Sequence, residues 1–479
     1  MRYRLMDFSK LARRELLRLG GIGLLAGLAR AVHAGGQQQA QEAAFGDFDV
    51  AIVGAGLSGL VAARQLVDAG RRVIVLEARP RVGGRTLNQT VAGHSLDGGA
   101  QWVGGNQTAV MALAEELGVP MLPQYAEGRF VLVYDQQRLV LDPHSTPDAD
   151  SLRICGELER LAAQVPLDAP WSGPDAASQD ALSVQCWLNA QGASNAAVDT
   201  VSGTLASTLN ARPQDVSLLW LLFYLHSAGG FAALDSDAQQ YRLQGGAQAL
   251  SLRLAAQLKP SLLLGAPVRR IVGLHSPQVR LYTDAGIIGA RRVIVAMMPT
   301  DAARIGFSPA LPRARRDLQK RWGASSGMKV HVVYATPFWR QEALSGAGLI
   351  NQGLVQFTFD SSPPSGAGIL LAFLDPELER ANPQRRRARV LEELAQLFGE
   401  AARAPLGYVE QDWSAEAWTA GCVSPLPPRV LSRYGQALRE PVGALHWAGT
   451  ETSGVWCGYL EGAVRAGQRA ADEVALSLG

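Results

Sequence analysis

The chain has 479 residues, 47% apolar and 18% charged, the charged share lying below the roughly 25% of an average globular chain. That length and composition allow two or three domains' worth of core and exclude a disordered or fibrous protein. A balance of 45 basic to 43 acidic residues, net +2, gives no electrostatic case for nucleic acid, and no internal apolar run reaches the roughly 18 residues of a transmembrane helix.

The first 45 residues read apart from the rest. Arg13-Arg14 precedes an apolar stretch from Leu19 to Ala29, and Val32-His33-Ala34 offers small residues for a peptidase. The pattern resembles a twin-arginine export signal over 1–34, followed by a flexible linker over 35–44. The expected location is therefore periplasmic or secreted, and that route carries proteins already folded around a cofactor.

Phe48 to Val53 is a short apolar run of strand type, followed at once by Gly54-Ala55-Gly56-Leu57-Ser58-Gly59. Leu60 to Ala69 reads as a helix stopped by Gly70, and Arg72 to Leu76 as a second strand ending in Glu77. In such a strand–turn–helix unit Gly54 permits the tight turn, Gly56 admits a pyrophosphate to the backbone, and Gly59 lets helix and strand approach. The helix N-terminus then offers free N–H groups to phosphate. Glu77 lies 23 residues after Gly54, close to the spacing expected of an acid that binds ribose hydroxyls. Directly after it, Ala78-Arg79-Pro80-Arg81-Val82-Gly83-Gly84-Arg85-Thr86 looks like the double-glycine motif of FAD enzymes, with Arg85 offering a fork of donors to phosphate. Asp97-Gly98-Gly99-Ala100-Gln101-Trp102 continues the pattern.

Further along, Leu218 to Tyr224 suits a buried helix, and 267–272, 279–283 and 292–296 read as short strands. Residues 361–366 form a loop; Arg385 to Arg387 and Arg389 look like a solvated helix face. Only four basic residues are lysines, and one of them, Lys329, interrupts the strand-like run Gly327 to Tyr334. A lysine there requires a polar partner, because an unpaired buried ammonium is costly. His446 to Glu451 reads as a strand entering a turn, and Gly458 opens a final helix whose small residues Gly462, Ala463, Ala466, Gly467 and Ala470 suit close packing. The cysteines Cys155, Cys186, Cys422 and Cys457 contain no C-x-x-C pair, which argues against zinc; Cys155 and Cys186 read as small buried hydrophobes. No His/Asp/Glu cluster suggests a metal.

Taken together, 53–86, 98–103, 241–246, 328–330, 336–340 and 447–463 resemble the flavin-dependent amine oxidases, the monoamine oxidases and bacterial relatives such as putrescine oxidase. The resemblance implies an α/β fold: a Rossmann-type FAD-binding domain built from discontinuous segments, 45–121, 236–305 and 405–479, plus a mixed α+β substrate domain from 122–235 and 306–404. It implies FAD contacts at Gly54, Gly56, Leu57, Ser58, Gly59, Glu77, Ala78, Arg79, Gly83, Gly84, Arg85 and Thr86. Further contacts are implied at Gly99, Ala100, Gln101, Trp102, Val268, Trp413, Cys422, Gly449, Glu451, Tyr459 and Leu460. Lys329 matches the catalytic lysine that holds a water near flavin N5. Tyr459 matches one wall of an aromatic cage whose opposite wall falls here on Val423, so the cage is half-built or is completed by Trp418 or another aromatic. His226 and Ser227 lie where the family places substrate-pocket residues. Cys422 matches a cysteine that in some members bonds the flavin; covalent and non-covalent FAD both stay open.

The activity so implied is oxidation of a primary or secondary amine by hydride transfer to flavin N5, with imine hydrolysis and reoxidation by oxygen to hydrogen peroxide. An L-amino acid oxidase of the same fold, an amine dehydrogenase using a periplasmic acceptor, and a non-catalytic flavin-binding protein are the alternatives. The expected partners are a small-molecule amine and oxygen or another electron acceptor, with no nucleic acid and no membrane span in the mature chain; a homodimer is left open.

Overall fold

A computed structural model describes residues 44–142, 148–325, 327–364, 366–375, 378–379 and 381–479. They lie in one compact unit, Ala43–Gly479. The export signal and most of the linker fall outside the described residues.

Two large sheets form the frame. The first has eight strands in the order Leu262–Leu263, Val73–Leu76, Ala44–Val53, Gly286–Ala296, Val279–Thr283, Val268–Val272 and Gly306–Ser308, with Leu445–Ala448 also pairing along Gly286–Ala296. Its central strands are parallel, Val50 opposite Val73 on one side and Arg292 on the other. The unbroken apolar run of Val73–Leu76, buried at every position, is what a parallel strand covered on both faces requires. The sequence expectation of a strand over 292–296 captured only the end of an 11-residue strand, Gly286–Ala296.

Helix Leu57–Asp68 follows the first strand. The small face of the final helix, Leu460–Leu478, packs on it: a Cβ at Gly467 would sit 2.4 Å from the Ser58 carbonyl oxygen. Glu461, in the first turn of that final helix, reaches the start of helix Thr108–Glu116, where it accepts from Ala109 N–H at 3.1 Å and Val110 N–H at 2.7 Å. A carboxylate at a helix N-terminus satisfies donors that the helix cannot, and here it also ties the end of the chain to its beginning.

The second sheet has seven strands in the order Gly407–Asp412, Met328–Tyr334, Gly368–Leu374, Val355–Asp360, Leu344–Ile350, Arg129–Tyr134 and Gln137–Leu141. Gly407–Asp412 pairs antiparallel with Met328–Tyr334, so this sheet takes a strand that the boundary at 405 groups with the first sheet. All seven residues of Met328–Tyr334 are buried. Helix Leu218–Ala228 is apolar on nearly every side and buried among the other helices.

Three sequence expectations change. Arg386 is not on a solvated face: it is buried and pairs with Glu410, because helix Pro383–Phe398 lays that position against the second sheet. Cys186 is exposed and Cys155 half-buried rather than both being core residues, and none of the four cysteines is disulfide-bonded. Among the described residues no single helix is long and apolar enough to cross a membrane.

Replacing Glu461 by alanine leaves the buried Val110 N–H and the half-buried Ala109 N–H without an acceptor. The unfolding free energy should fall by about 2–3 kcal/mol, read as a lower denaturant midpoint at unchanged slope.

Candidate functional site

A cavity of about 600 Å³ runs between the two sheets, within the size range of cofactor sites. Three stretches distant in sequence line it, and they are best followed from the nucleotide end.

At that end the turn after the first strand has Gly54 at φ +105°, where a Cβ would lie 2.8 Å from the Ala296 carbonyl oxygen. At Gly59 a Cβ would lie 2.0 Å from the Gly54 carbonyl oxygen; Gly59 therefore serves packing and does not itself line the cavity. The second glycine turn comes up against the first: Gly83 N–H donates to the Ala55 carbonyl at 2.9 Å, and Thr86 Oγ1 closes that turn by donating to Gly83 O at 2.9 Å. A Cβ on Gly84 would stand 3.2 Å from Gly56 Cα. Gly56, Leu57 and Ser58 open the first helix onto this cradle, and the Ser58 hydroxyl accepts from Gly449 N–H at 3.0 Å. The arrangement presents free helix N–H groups and a side-chain-free channel, the donor set a pyrophosphate needs.

Glu77 is buried, one oxygen accepting from Ala55 N–H and the other from Arg79 N–H, both at 2.8 Å. Each oxygen keeps a second lone pair, so the carboxylate is fixed and still able to accept ribose hydroxyls. Ala78 and Val268 line the wall beside it. Arg79 also lines the cavity, but its guanidinium is turned to Glu416 at 2.9 Å. Arg85 Nη1 meets Glu451 at 2.7 Å and donates to the Cys422 carbonyl at 3.0 Å. Glu451 is buried one layer behind the wall and holds Arg85 in place. Gly449, Leu460, Ala100 and Trp413 complete this part of the lining, with Trp413 Nε1 donating to Gly98 O at 2.9 Å.

The far end is built around Lys329. Its Nζ donates to the Gly99 carbonyl at 2.8 Å and to Gln101 Oε1 at 3.0 Å. The nitrogen stands 5.6 Å from the Trp102 ring centre and 5.8 Å from that of Phe373. Burial pushes Lys329 down to about 8, opposed by the negative charge of Asp97. Asp97 is itself pushed up to about 6 by burial, opposed by Lys329, and accepts from Ala247 N–H at 2.7 Å. Between these values the site holds an ammonium with two donors committed and a third left to point into the cavity.

Opposite lies Tyr459, whose ring neighbour is Tyr224 from the central helix, centroids 6.0 Å apart. Gly458, at φ +90°, makes room for it: a Cβ there would stand 3.1 Å from the Tyr224 hydroxyl. Val423 lines the cavity, as the half-built cage requires. Trp418 lines it too, but its ring carries the Arg269 guanidinium at 5.2 Å, beside Val268, so the aromatic added next to Tyr459 is Tyr224 instead. Cys422 lines the cavity with its thiol pushed up by burial.

Ser227 does not reach the cavity. Its hydroxyl accepts from Cys457 N–H at 2.9 Å, behind the wall, and His226 Nδ1 lies 2.8 Å from Val165 O. The family resemblance placed both at the pocket, but on this helix it is Tyr224 that lines the cavity, and positions two and three residues on face elsewhere. Two residues that the sequence reading gave no role belong to the site: Tyr224 in the lining and Asp97 behind it. The signal for Asp97 was present in the Asp97-Gly98-Gly99 run. Among the described residues no group of His, Cys, Asp and Glu could hold a metal.

Comparison with known proteins agrees with this geometry. Residues 57–475 match the family model described as flavin-containing amine oxidoreductase. The chain is 40% identical over 90% of its length to AofH of Mycobacterium tuberculosis, which bears the name flavin-containing monoamine oxidase, covering 97% of that protein. It is 34% identical over 89% of its length to an L-amino acid dehydrogenase of Synechocystis, covering 94% of it. A solved structure of putrescine oxidase bound to putrescine superposes with TM-score 0.86 at 34% identity, covering 91% of this chain and 100% of that one.

Glu77→Gln should keep the fold and one acceptor but lose the charge that strengthens hydroxyl binding. FAD affinity should fall roughly 10-fold, measured by fluorescence titration of the stripped protein; unchanged affinity would remove Glu77 from the cofactor site.

Proposed function

Because this chain belongs to the flavin-containing amine oxidoreductase family, a flavoenzyme family whose cofactor is FAD, we propose that it oxidises an apolar primary or secondary monoamine and releases hydrogen peroxide. When bound, the flavin supplies the acceptor for the hydride equivalent that leaves the carbon next to nitrogen, and the route by which oxygen is reduced.

The residues at the far end of the cavity supply the rest. The walls there are Trp102, Phe373, Tyr224, Tyr459, Val423 and Met328. They exclude water and hold an amine that has shed its proton, because aromatic and aliphatic surface disfavours a charged nitrogen. Lys329 fixes a donor beside the reacting carbon, placed to orient a water and to hydrogen-bond the imine product as that water attacks it. Its position is held by a fixed segment, since both of its acceptors lie in Gly99–Gln101, packed against Arg85.

The observation that carries the substrate class is the distribution of charge along the cavity. Among the described lining residues, the carboxylates are Glu77 and Asp301 and the guanidiniums are Arg79, Arg85, Arg269 and Arg304. Arg79 and Arg85 are paired with Glu416 and Glu451, and Arg269 with Asp284 at 2.7 Å; Arg304 Nη1 donates to Ala417 O at 2.6 Å. Asp301 accepts from Thr419, in the stretch beside Trp418 and Arg304. None of these groups belongs to the aromatic chamber around Lys329 and Tyr459. Among the lining residues a diamine's second ammonium therefore finds no carboxylate there, and an amino acid's carboxylate finds no guanidinium; Asp235, within electrostatic reach of Tyr459, lies behind the lining. A diamine and an amino acid each carry a second charged group that a buried pocket must pair, which favours a substrate with one nitrogen and an apolar body.

Mixed without oxygen with a panel of arylalkyl and alicyclic monoamines, diamines and L-amino acids, the purified yellow protein should be bleached fastest by monoamines, and air should then yield one peroxide per amine consumed. Faster bleaching by amino acids would overturn the assignment. Lys329→Met should retain flavin but lose about 100-fold or more in the rate of amine oxidation.

A further inference from the structure

Lys329 leans on two acceptors of different kinds. The Gly99 carbonyl belongs to the backbone and cannot turn over, whereas Gln101 Oε1 sits at the end of a rotatable side chain. A half-turn of that amide would set its NH2 group against the ammonium, donor against donor. The lysine keeps its second acceptor only while the amide is held the right way round.

The hold comes from the loop at 361–366, to which the sequence assigned no chemistry. Gln101 Nε2 donates to Ser361 Oγ at 3.1 Å, and both residues are buried. With Lys329 charged, this orientation gives each end of the amide a partner. Without the hydroxyl, Nε2 would be buried with no acceptor, and the orientation would lose its support.

Ser361 is itself fixed from several sides. Its N–H donates to the Ile369 carbonyl at 2.8 Å, and its carbonyl accepts from Arg242 Nη1 at 2.6 Å. Arg242 Nη2 takes the next carbonyl, that of Ser362, at 2.7 Å. Ser362 N–H donates to Asp360 Oδ1 at 2.8 Å, and the Ser362 hydroxyl accepts from Ile369 N–H at 2.9 Å. Asp360 is 1% exposed, its other oxygen accepting from Trp339 Nε1 at 2.8 Å and Arg340 Nε at 2.7 Å.

This loop joins strands Val355–Asp360 and Gly368–Leu374 of the second sheet, and Gly368–Leu374 pairs with the strand that carries Lys329. One sheet therefore supplies both the ammonium and the hydroxyl. The Gln101 side chain, from the glycine-rich stretch, is threaded between them.

We propose that Ser361 is a positioning residue for the reaction: its hydroxyl holds the Gln101 amide with the oxygen turned to Lys329, and so sets where the ammonium aims its remaining donor. The inference rests on the reading of Lys329 as the donor at the reaction centre. It extends the site to a residue that does not line the cavity.

Ser361→Ala removes one oxygen and keeps both backbone bonds of the residue, so the variant should fold and hold flavin. With 2-phenylethylamine its kcat should fall about 10-fold, and KM should change by less than about twofold, because Ser361 lies outside the cavity. In the Gln101→Ala background the same change should cost nothing further, since its effect runs through the amide. Equal losses in both backgrounds, or full kcat in Ser361→Ala, would overturn the proposal.

A second readout needs no turnover. With four lysines in the chain, selective ¹⁵N-lysine labelling of the flavin-loaded protein should resolve Lys329, identified by the signal lost in Lys329→Met. The charged or titratable groups around it, Asp97, Arg242, His331 and Cys422, are unchanged in Ser361→Ala. Burial already pushes Lys329 down to about 8. A loosened acceptor favours the ammonium less, so the midpoint should drop by about half a pH unit or more. An unmoved midpoint contradicts the proposal, whereas a lowered midpoint in a protein that no amine bleaches would uphold it while sinking the substrate reading.

Discussion

A single buried nitrogen imposes the strictest demand on this molecule. Lys329 is 4% exposed on a strand whose seven positions are all buried, and a charge so placed must be hydrogen-bonded or be abandoned as a neutral amine. Its acceptors, the Gly99 carbonyl and Gln101 Oε1, come from a stretch some 230 residues away. That stretch has no freedom of its own. A Cβ on Gly99 would lie 2.0 Å from the Arg85 carbonyl oxygen, which in turn accepts from Ala100 N–H at 3.1 Å. The Gly98–Gln101 segment is thus clamped between Arg85 and the lysine, and the second sheet cannot shift strand Met328–Tyr334 without stripping the ammonium of its partners.

The same clamp explains how three separated pieces of chain make one cavity. Arg85 meets Glu451, and Ser58 accepts from Gly449 N–H, so each glycine turn of the first piece is tied to the turn after strand Leu445–Ala448. Glu461 then anchors the final helix to helix Thr108–Glu116. These contacts are polar and directional, which matters for a site that must keep a reacting carbon in line with its acceptor to within a fraction of an ångström. Hydrophobic packing supplies the bulk of the stability; the charged bonds across the pieces supply the register.

How far the sequence discloses this depends on the range of each constraint. The glycine spacing from Gly54 to Gly59, the acid at Glu77 and the turn at Gly83-Gly84 are legible because turn, helix entry and phosphate channel are set within some thirty residues. Lys329 is legible because a charge within an apolar strand run contradicts its surroundings. What stays hidden depends on pairing between remote elements. Tyr224 meets Tyr459 only once helix Leu218–Ala228 is docked, so the cage position left to Val423 could not be resolved from its neighbours. Arg386 resembles its exposed neighbours until the helix is laid against Glu410. Strand Gly407–Asp412 joins the second sheet through the side of Met328–Tyr334 that Gly368–Leu374 leaves open, and no local pattern marks which sheet it enters.

A crystal structure of the purified yellow protein tests the central claim most directly. Continuous FAD density should run from the Glu77 carboxylate past the facing glycine turns, with the ring system ending between Lys329 and Tyr459. Density for the ring system elsewhere, or a chamber at Lys329 still vacant in protein shown to carry flavin, would contradict the account.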